Sequence, residues 1–208
     1  MSLLGVEIAE PSTVLTDYLL ALVAFAWGGL LLREKPMPAR LFGIALLATG
    51  CAATVGGTYH GFRPGWSEEL RAAAWTLTYV MVGIGNLLLL AGAILAWAPR
   101  PYRMPLLGLA GFRLGVFVIL LASHRDFRHV VYDVAGTLAG LTLLALLGRA
   151  LQPVPVPMTL AAVGVTLAGG LLNQAGLRLH EHFNHNDVFH VVQVGALWCF
   201  YRAAKRFA

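Results

Sequence analysis

The sequence predicts an all-α membrane protein, a seven-transmembrane-helix bundle forming a single domain over residues 1–208. Three observations predict it. Of the 208 residues, 58% are hydrophobic and only 12% are charged, against about 25% charged in an average soluble domain. The mean hydropathy is +0.72, too high for a soluble chain of this length. Seven apolar runs are long enough, or nearly so, to cross a bilayer, which takes about 20 residues; they cover roughly 14–32, 41–60, 73–98, 104–123, 130–149, 157–177 and 187–204. With no water in the hydrocarbon layer to satisfy backbone groups, these runs must be helical.

Each break between runs has a local cause. "REKPMPAR" carries charge and two prolines, "HGFRPGWSEEL" combines Gly, Pro and charge, and "APRPYRMP" has three prolines. "SHRDFRH" and "RLHEHFNHND" are polar, and "QPVPVP" cannot continue a helix because proline lacks the N–H and clashes with the preceding turn. The "GTLAG" pattern, Gly136 to Gly140, suits close helix packing and carries no function of its own. Cys51 and Cys199 lie in apolar runs without metal or redox spacing and read as small core residues. No positive segment or cleavage site opens the chain, so no cleaved signal peptide is expected.

The formal charge of +5 does not indicate a nucleic-acid partner, because the basic residues stand singly or in pairs between apolar runs. They read as membrane anchors and set the orientation. One face holds Arg33, Lys35, Arg40, Arg100, Arg103, Arg149, Arg202, Lys205 and Arg206, and the other Arg63, Arg71, Arg125, Arg128 and Arg178. The bias puts the N-terminus outside and the C-terminus in the cytoplasm, in a multi-pass protein of a bacterial inner membrane or of an internal or plasma membrane.

The same layout gathers the chemistry on one side. All seven histidines fall toward the N-terminal face: His60, His124, His129, His180, His182, His185 and His190. So do Glu7, Glu10, Asp17, Glu68, Glu69, Asp126, Asp133, Glu181 and Asp187, leaving Glu34 alone opposite. Ionisable groups inside the bilayer cost roughly 2.5–3.5 kcal/mol for Asp at a helix centre, so they face the bundle interior and find partners. His180, His182 and His124 read as loop residues, and Asn184 with Asp187 as a helix cap followed by a first-turn acid. Asp133 lies one turn after His129, where a carboxylate orients an imidazole or shares its ion. His60, His129 and His190, on three helices at similar depth, form a reasonable set for one metal. "DFRHVVYD" and "DVFHVVQV" both read D-x-x-H-V-V, too short a match to establish a duplication. Tyr59, Tyr79 and Tyr132 belong partly to the interfacial aromatic belt, and the mid-span Arg113 requires an acceptor or a wet cavity.

Two motifs, "GGTYHGF" ending the second span and "NDVFHVVQVGALWCFY" opening the seventh, resemble the CREST superfamily, the alkaline ceramidases and progestin and adipoQ receptors. That family has seven membrane helices and zinc near one face. Its pattern is Ser-x-x-x-His late in helix 2, an acid early in helix 3 and His-x-x-x-His early in helix 7. The resemblance places His60 and His190 on two of the histidines and Glu68 or Glu69 near the acid. The motif serine falls on Gly56 and the first helix-7 histidine on Asn186. His185 stands beside Asn186, but one residue turns a helix by about 100°.

The resulting expectation is a zinc-dependent hydrolase cleaving an amide or ester of a lipid that enters from the bilayer. His60 and His190 would be ligands, His129 or His185 the third, and Glu69 or Asp133 the general base or ligand-orienting group. The alternatives are a receptor-like or scaffold protein with a structural zinc site and a metal or proton transporter. Transport is disfavoured by an inner half almost bare of polar residues, and haem ligation by the lack of a second histidine pair.

Overall fold

A computed structural model describes residues 2–3, 6–124 and 126–207. The sequence assignments to Arg125 and to the side chain of Glu7 lie outside the described residues. A two-residue strand pair, β1 (Ser2–Leu3) and β2 (Val6–Glu7), precedes seven helices. These are α1 (Pro11–Leu31), α2 (Met37–Phe62), α3 (Glu68–Trp97), α4 (Arg100–Ser123), α5 (Phe127–Gly148), α6 (Val156–Gln174) and α7 (His185–Ala204). The chain is a multi-pass integral membrane protein: α1 to α6 are long and apolar enough to cross a bilayer. Among the described residues six candidate spans, not seven, meet that measure; α7 carries His185, Asn186, Asp187 and His190 in its first two turns and Arg202 in its last.

The helices extend past the apolar runs where polar residues cap them. Ser67 accepts the Leu70 N–H at 3.3 Å, so α3 starts at Glu68 with two acids in its first turn, where the helix dipole favours them. Pro11 and Pro101 occupy the first helical turn of α1 and α4, where proline loses no hydrogen bond. Asp126 caps α5, accepting from Arg128 N at 2.8 Å; the Arg128 side chain also binds this carboxylate and holds its pKa down at about 2. Asn184 caps α7 in a full capping box with Asp187, as the sequence pattern predicts.

Around the bundle α1, α2, α3, α5, α6 and α7 pack each on the next, and α7 closes on α1 and α2. Helix α4 lies outside this ring against α3 and α5. The half toward the C-terminal face is apolar: Phe42, Trp97, Phe200 and Phe207 stack edge-on among Leu31, Leu46 and Leu141. The half toward the N-terminal face carries the buried polar residues Thr13, Thr16, Asp17, Asp133 and Asp187. Gly136 and Gly140 of "GTLAG" make room for Arg113 and Leu90, a packing role as expected. Cys199 is half-buried but Cys51 is exposed on the outer side of α2, so the core assignment fails for Cys51.

Small residues let α1 approach α2. A Cβ on Gly28 would lie 2.8 Å from the Gly43 carbonyl oxygen, and one on Gly43 would lie 3.0 Å from that of Gly28. Neighbouring Gly29 faces open space. Gly28→Val should therefore lower the thermal unfolding midpoint in detergent by the equivalent of about 1–3 kcal/mol of overpacking. Gly29→Val should leave it within about 0.5 kcal/mol.

Candidate functional site

The polar half is built where α1 begins, α2 ends and α7 begins. Asp17 lies six residues into α1 from Pro11, about 9 Å along the axis at 1.5 Å per residue. "VGGTYH" lets it reach α2: a Cβ on Gly57 would lie 2.7 Å from Asp17 Cβ, and one on Gly56 would face both Asp17 carboxylate oxygens at 3.8–3.9 Å. Gly56 thus presents no side chain, and an acid from the neighbouring helix fills the space in front of it.

Asp17 Oδ1 stands 3.3 Å from His190 Nε2, while Oδ2 is buried without a hydrogen-bond partner. The other ring nitrogen, His190 Nδ1, lies 3.1 Å from Thr16 Oγ1. That hydroxyl has two further acceptors, Thr13 O at 3.1 Å and Asp187 Oδ1 at 3.3 Å. Its single hydrogen goes to one of the three, so Nδ1 donates when Thr16 binds Thr13 or Asp187 and accepts when Thr16 donates to the ring. A neutral imidazole with Nδ1 protonated presents a lone pair at Nε2. In that tautomer Nε2 faces the Asp17 carboxylate acceptor against acceptor, and a proton or a cation between them makes the contact favourable; with Nε2 protonated the ring faces the carboxylate as a donor.

His60 approaches from α2. Its Nδ1 lies 2.9 Å from Glu10 Oε2, and Arg63 holds the other Glu10 oxygen at 2.5 Å. The Ala9 N–H donates to the Gly61 carbonyl at 3.0 Å, which straps this acid-bearing segment over the end of α2. Nε2 of His60 makes no hydrogen bond among the described residues. Trp75 and Tyr59 meet the His60 ring edge-on at 5.8 and 5.9 Å. These two aromatics continue through Tyr79 to Phe127 as an aromatic belt that includes two of the three predicted tyrosines.

The remaining predicted site residues lie elsewhere. Asp133 does not orient His129. Its Oδ2 accepts from Asn86 at 2.7 Å, and Oδ1 lies 3.3 Å from Arg113 Nη1, which also donates to the Asp133 carbonyl at 2.7 Å. The mid-span arginine thus finds its acceptor on α5. His129 is half-buried and makes no side-chain hydrogen bond among the described residues. The D-x-x-H echo accounts for its position: Asp126 is the cap of α5 but Asp187 is the third residue of α7, so His129 lies one turn shallower than His190. His185 is the first residue of α7, and its carbonyl accepts from Asn173 at 3.4 Å; an earlier helix start removes the route by which it would join His190. Asn186 binds Asn173 at 3.0 Å, a tie between α6 and α7. Glu69 is exposed in the first turn of α3 and lines a groove of about 650 Å³ along that helix, with no contact to His60 or His190 among the described residues.

Among the described residues, no three His, Cys, Asp or Glu side chains already surround a common point suited to a metal ion. The donor atoms at this contact, an imidazole nitrogen and a carboxylate oxygen, are of kinds that zinc accepts. Two ligands, each about 2.0–2.1 Å from a tetrahedral zinc, stand about 3.3–3.4 Å apart, and the Asp17–His190 contact is 3.3 Å. The carboxylate on His60 Nδ1 is the usual outer partner of a zinc-bound imidazole.

A family model described as a family of unknown function (DUF6962) matches residues 12–208. The chain belongs to that family. The DUF6962 region takes in Asp17, His60, Asp187 and His190, and Glu10 lies two residues before it. No curated protein matches the chain.

The Arg113–Asp133 pair gives a direct test of its structural role. Removing one partner of a buried pair costs about 3–5 kcal/mol, because the other charge is left uncompensated. Asp133→Leu should therefore destabilise the protein in a detergent unfolding assay by that order. Adding Arg113→Met should recover most of the loss.

Proposed function

We propose that this DUF6962 chain is a zinc-dependent intramembrane hydrolase that cleaves an amide or ester of a lipid at the N-terminal face. The observation that carries the reading is the buried Asp17 carboxylate, facing His190 Nε2 through one oxygen and left unpartnered at the other. His60, His190 and Asp17 would hold the metal. Asp17 takes the third place that the sequence assigned to His129 or His185, and it takes over the base role from Glu69 and Asp133. Zinc, when bound, lowers the pKa of a water to about 7 and polarises a carbonyl.

The other steps belong to the chain. Glu10 fixes the His60 ring with Nε2 turned from the carboxylate, and with Thr16 donating to Asp187 and accepting from Nδ1, His190 would present its lone pair at Nε2. Asp17 Oδ2 accepts the proton of the attacking water and returns it to the leaving amine or alkoxide. A site about 9 Å inside the helix start suits a substrate arriving from the bilayer. The greater basic content of the opposite face supports an outside N-terminus, with the site on the non-cytoplasmic side.

A second reading, a receptor-like or scaffold bundle, is favoured by the same network's role as a tie. Asn184 donates to Thr13 Oγ1 at 3.3 Å, and Asp187 receives Thr16, so the buried polar groups fasten α7 to α1. The two readings separate on metal content and turnover. Purified protein should carry about one zinc per chain, largely lost in His60→Ala and His190→Ala. Asp17→Asn should lower hydrolysis across a panel of lipid amides and esters by about 10²–10⁴-fold. Zinc content unchanged in both histidine variants removes the proposed site. Zinc bound without hydrolysis of any panel member selects the scaffold.

A further inference from the structure

The opposite end of the bundle carries a second polar site with different chemistry. Five segments meet there: the α1–α2 turn with Lys35 and Pro36, the start of α2 with Met37 and Pro38, Leu95 near the end of α3, Arg103 at the start of α4, and Gln152 between α5 and α6. They line a cleft of about 490 Å³, in the size range of small-ligand pockets. Its walls are apolar, and no carboxylate lines it.

The cleft's polar groups are held in place. Arg103 Nε donates to the Ala98 carbonyl at 3.0 Å, which fixes the guanidinium and leaves its terminal nitrogens as donors. Trp97 Nε1 donates to the Gln152 carbonyl at 3.0 Å, and Gln152 Nε2 reaches Ala96 O at 3.4 Å, so the α5–α6 connection is tied to the end of α3. Lys35 is exposed at the mouth. Both α2 and α4 begin at this end, so their positive dipole ends lie on the same side as the two cations. Glu34, the acid on this face, is engaged by Lys205 at 2.5 Å and does not neutralise the cleft.

We infer that this cleft binds the phosphate of an anionic phospholipid headgroup. Lys35 and Arg103 supply the charge-assisted donors, and Met37 and Leu95 continue the wall toward the acyl region. A fixed guanidinium suits a phosphate's paired oxygens. A basic pocket between membrane helices is matched by anionic headgroups, which are concentrated at the cytoplasmic leaflet surface. Inorganic phosphate shares the charge chemistry but gains nothing from the apolar wall. The inference uses none of the residues at the Asp17–His190 site and stands apart from the proposed hydrolase.

The test is native mass spectrometry with thermal unfolding of the full chain, delipidated and titrated with phosphatidylglycerol, phosphatidylcholine or sodium phosphate. Phosphatidylglycerol should leave one retained lipid and raise the unfolding temperature. Lys35→Ala and Lys35→Ala/Arg103→Ala should weaken that binding tenfold or more. Arg33→Ala/Arg206→Ala, with the same charge removed outside the cleft, should keep it. Equal retention of phosphatidylcholine, or equal loss in the Arg33/Arg206 variant, overturns the inference, since the first ignores the charge and the second makes it diffuse. An equal stabilisation by sodium phosphate overturns the lipid assignment.

Discussion

A charged group inside a bilayer cannot be hydrated by bulk water, and that constraint organises this molecule. Each ionisable side chain buried among the helices has to be answered by a group on another helix. Arg113 of α4 is paired with Asp133 of α5 at 3.3 Å, with Asn86 of α3 on the other carboxylate oxygen, while Arg113 Nε and Nη2 and Asp133 Oδ1 make no hydrogen bond among the described residues. These three residues join the peripheral helix to the ring. Asp17 of α1 is answered by His190 of α7 through one oxygen only. The first cluster spends its acid on an arginine, a side chain that stays charged; the second faces its acid with a group that accepts or releases a proton. Under the proposed function, this difference separates a structural tie from the reacting centre.

The second centre depends on backbone proximity as much as on charge. Asp17 reaches its position because Gly56 and Gly57 present no side chains to α1, and any residue at Gly57 would strike Asp17 Cβ. His190 keeps its orientation because α7 is capped by Asn184 and Asp187, and Asp187 is shared between that cap and Thr16. The capping box thus does two things at once. It satisfies the first amides of α7, and it brings the Asp187 carboxylate within hydrogen-bond reach of the Thr16 hydroxyl that contacts His190.

The number and order of the helices were legible in the sequence, because apolar runs and proline breaks are local signals. So was the α7 cap, read from residues a few positions apart. The partners of His60 and His190 were not. Asp17 and Glu10 were placed on the correct face, but nothing local shows that α1 packs between α2 and α7 and so brings them to the two histidines. His129 looked equivalent to His190 because both follow an aspartate by three residues; the two aspartates occupy different cap positions, and that offset lies in the backbone. Asp133 was paired with His129 on the same helix face. Arg113 outcompetes that neighbour because a fixed cation in a low-dielectric interior is worth more to a carboxylate than an imidazole one turn away.

The two ends of the bundle also divide the chemistry by sign. The N-terminal half buries acids and imidazoles among threonines and glycines. The C-terminal half is closed by Phe42, Trp97, Phe200 and Phe207 beneath a rim of cations. Between them Leu90, Ala93, Leu138 and Leu141 form an apolar layer. A relay of charge from one face to the other would have to cross that layer, where Thr137 and Thr159 both donate to the carbonyl four residues back in their own helices, while Thr166 Oγ1 is buried without a hydrogen-bond partner among the described residues. Under the proposed function, chemistry begun at Asp17 and His190 would have its exit on the side where it starts. That arrangement would suit a reaction with water and lipid at one interface better than passage of an ion across the membrane.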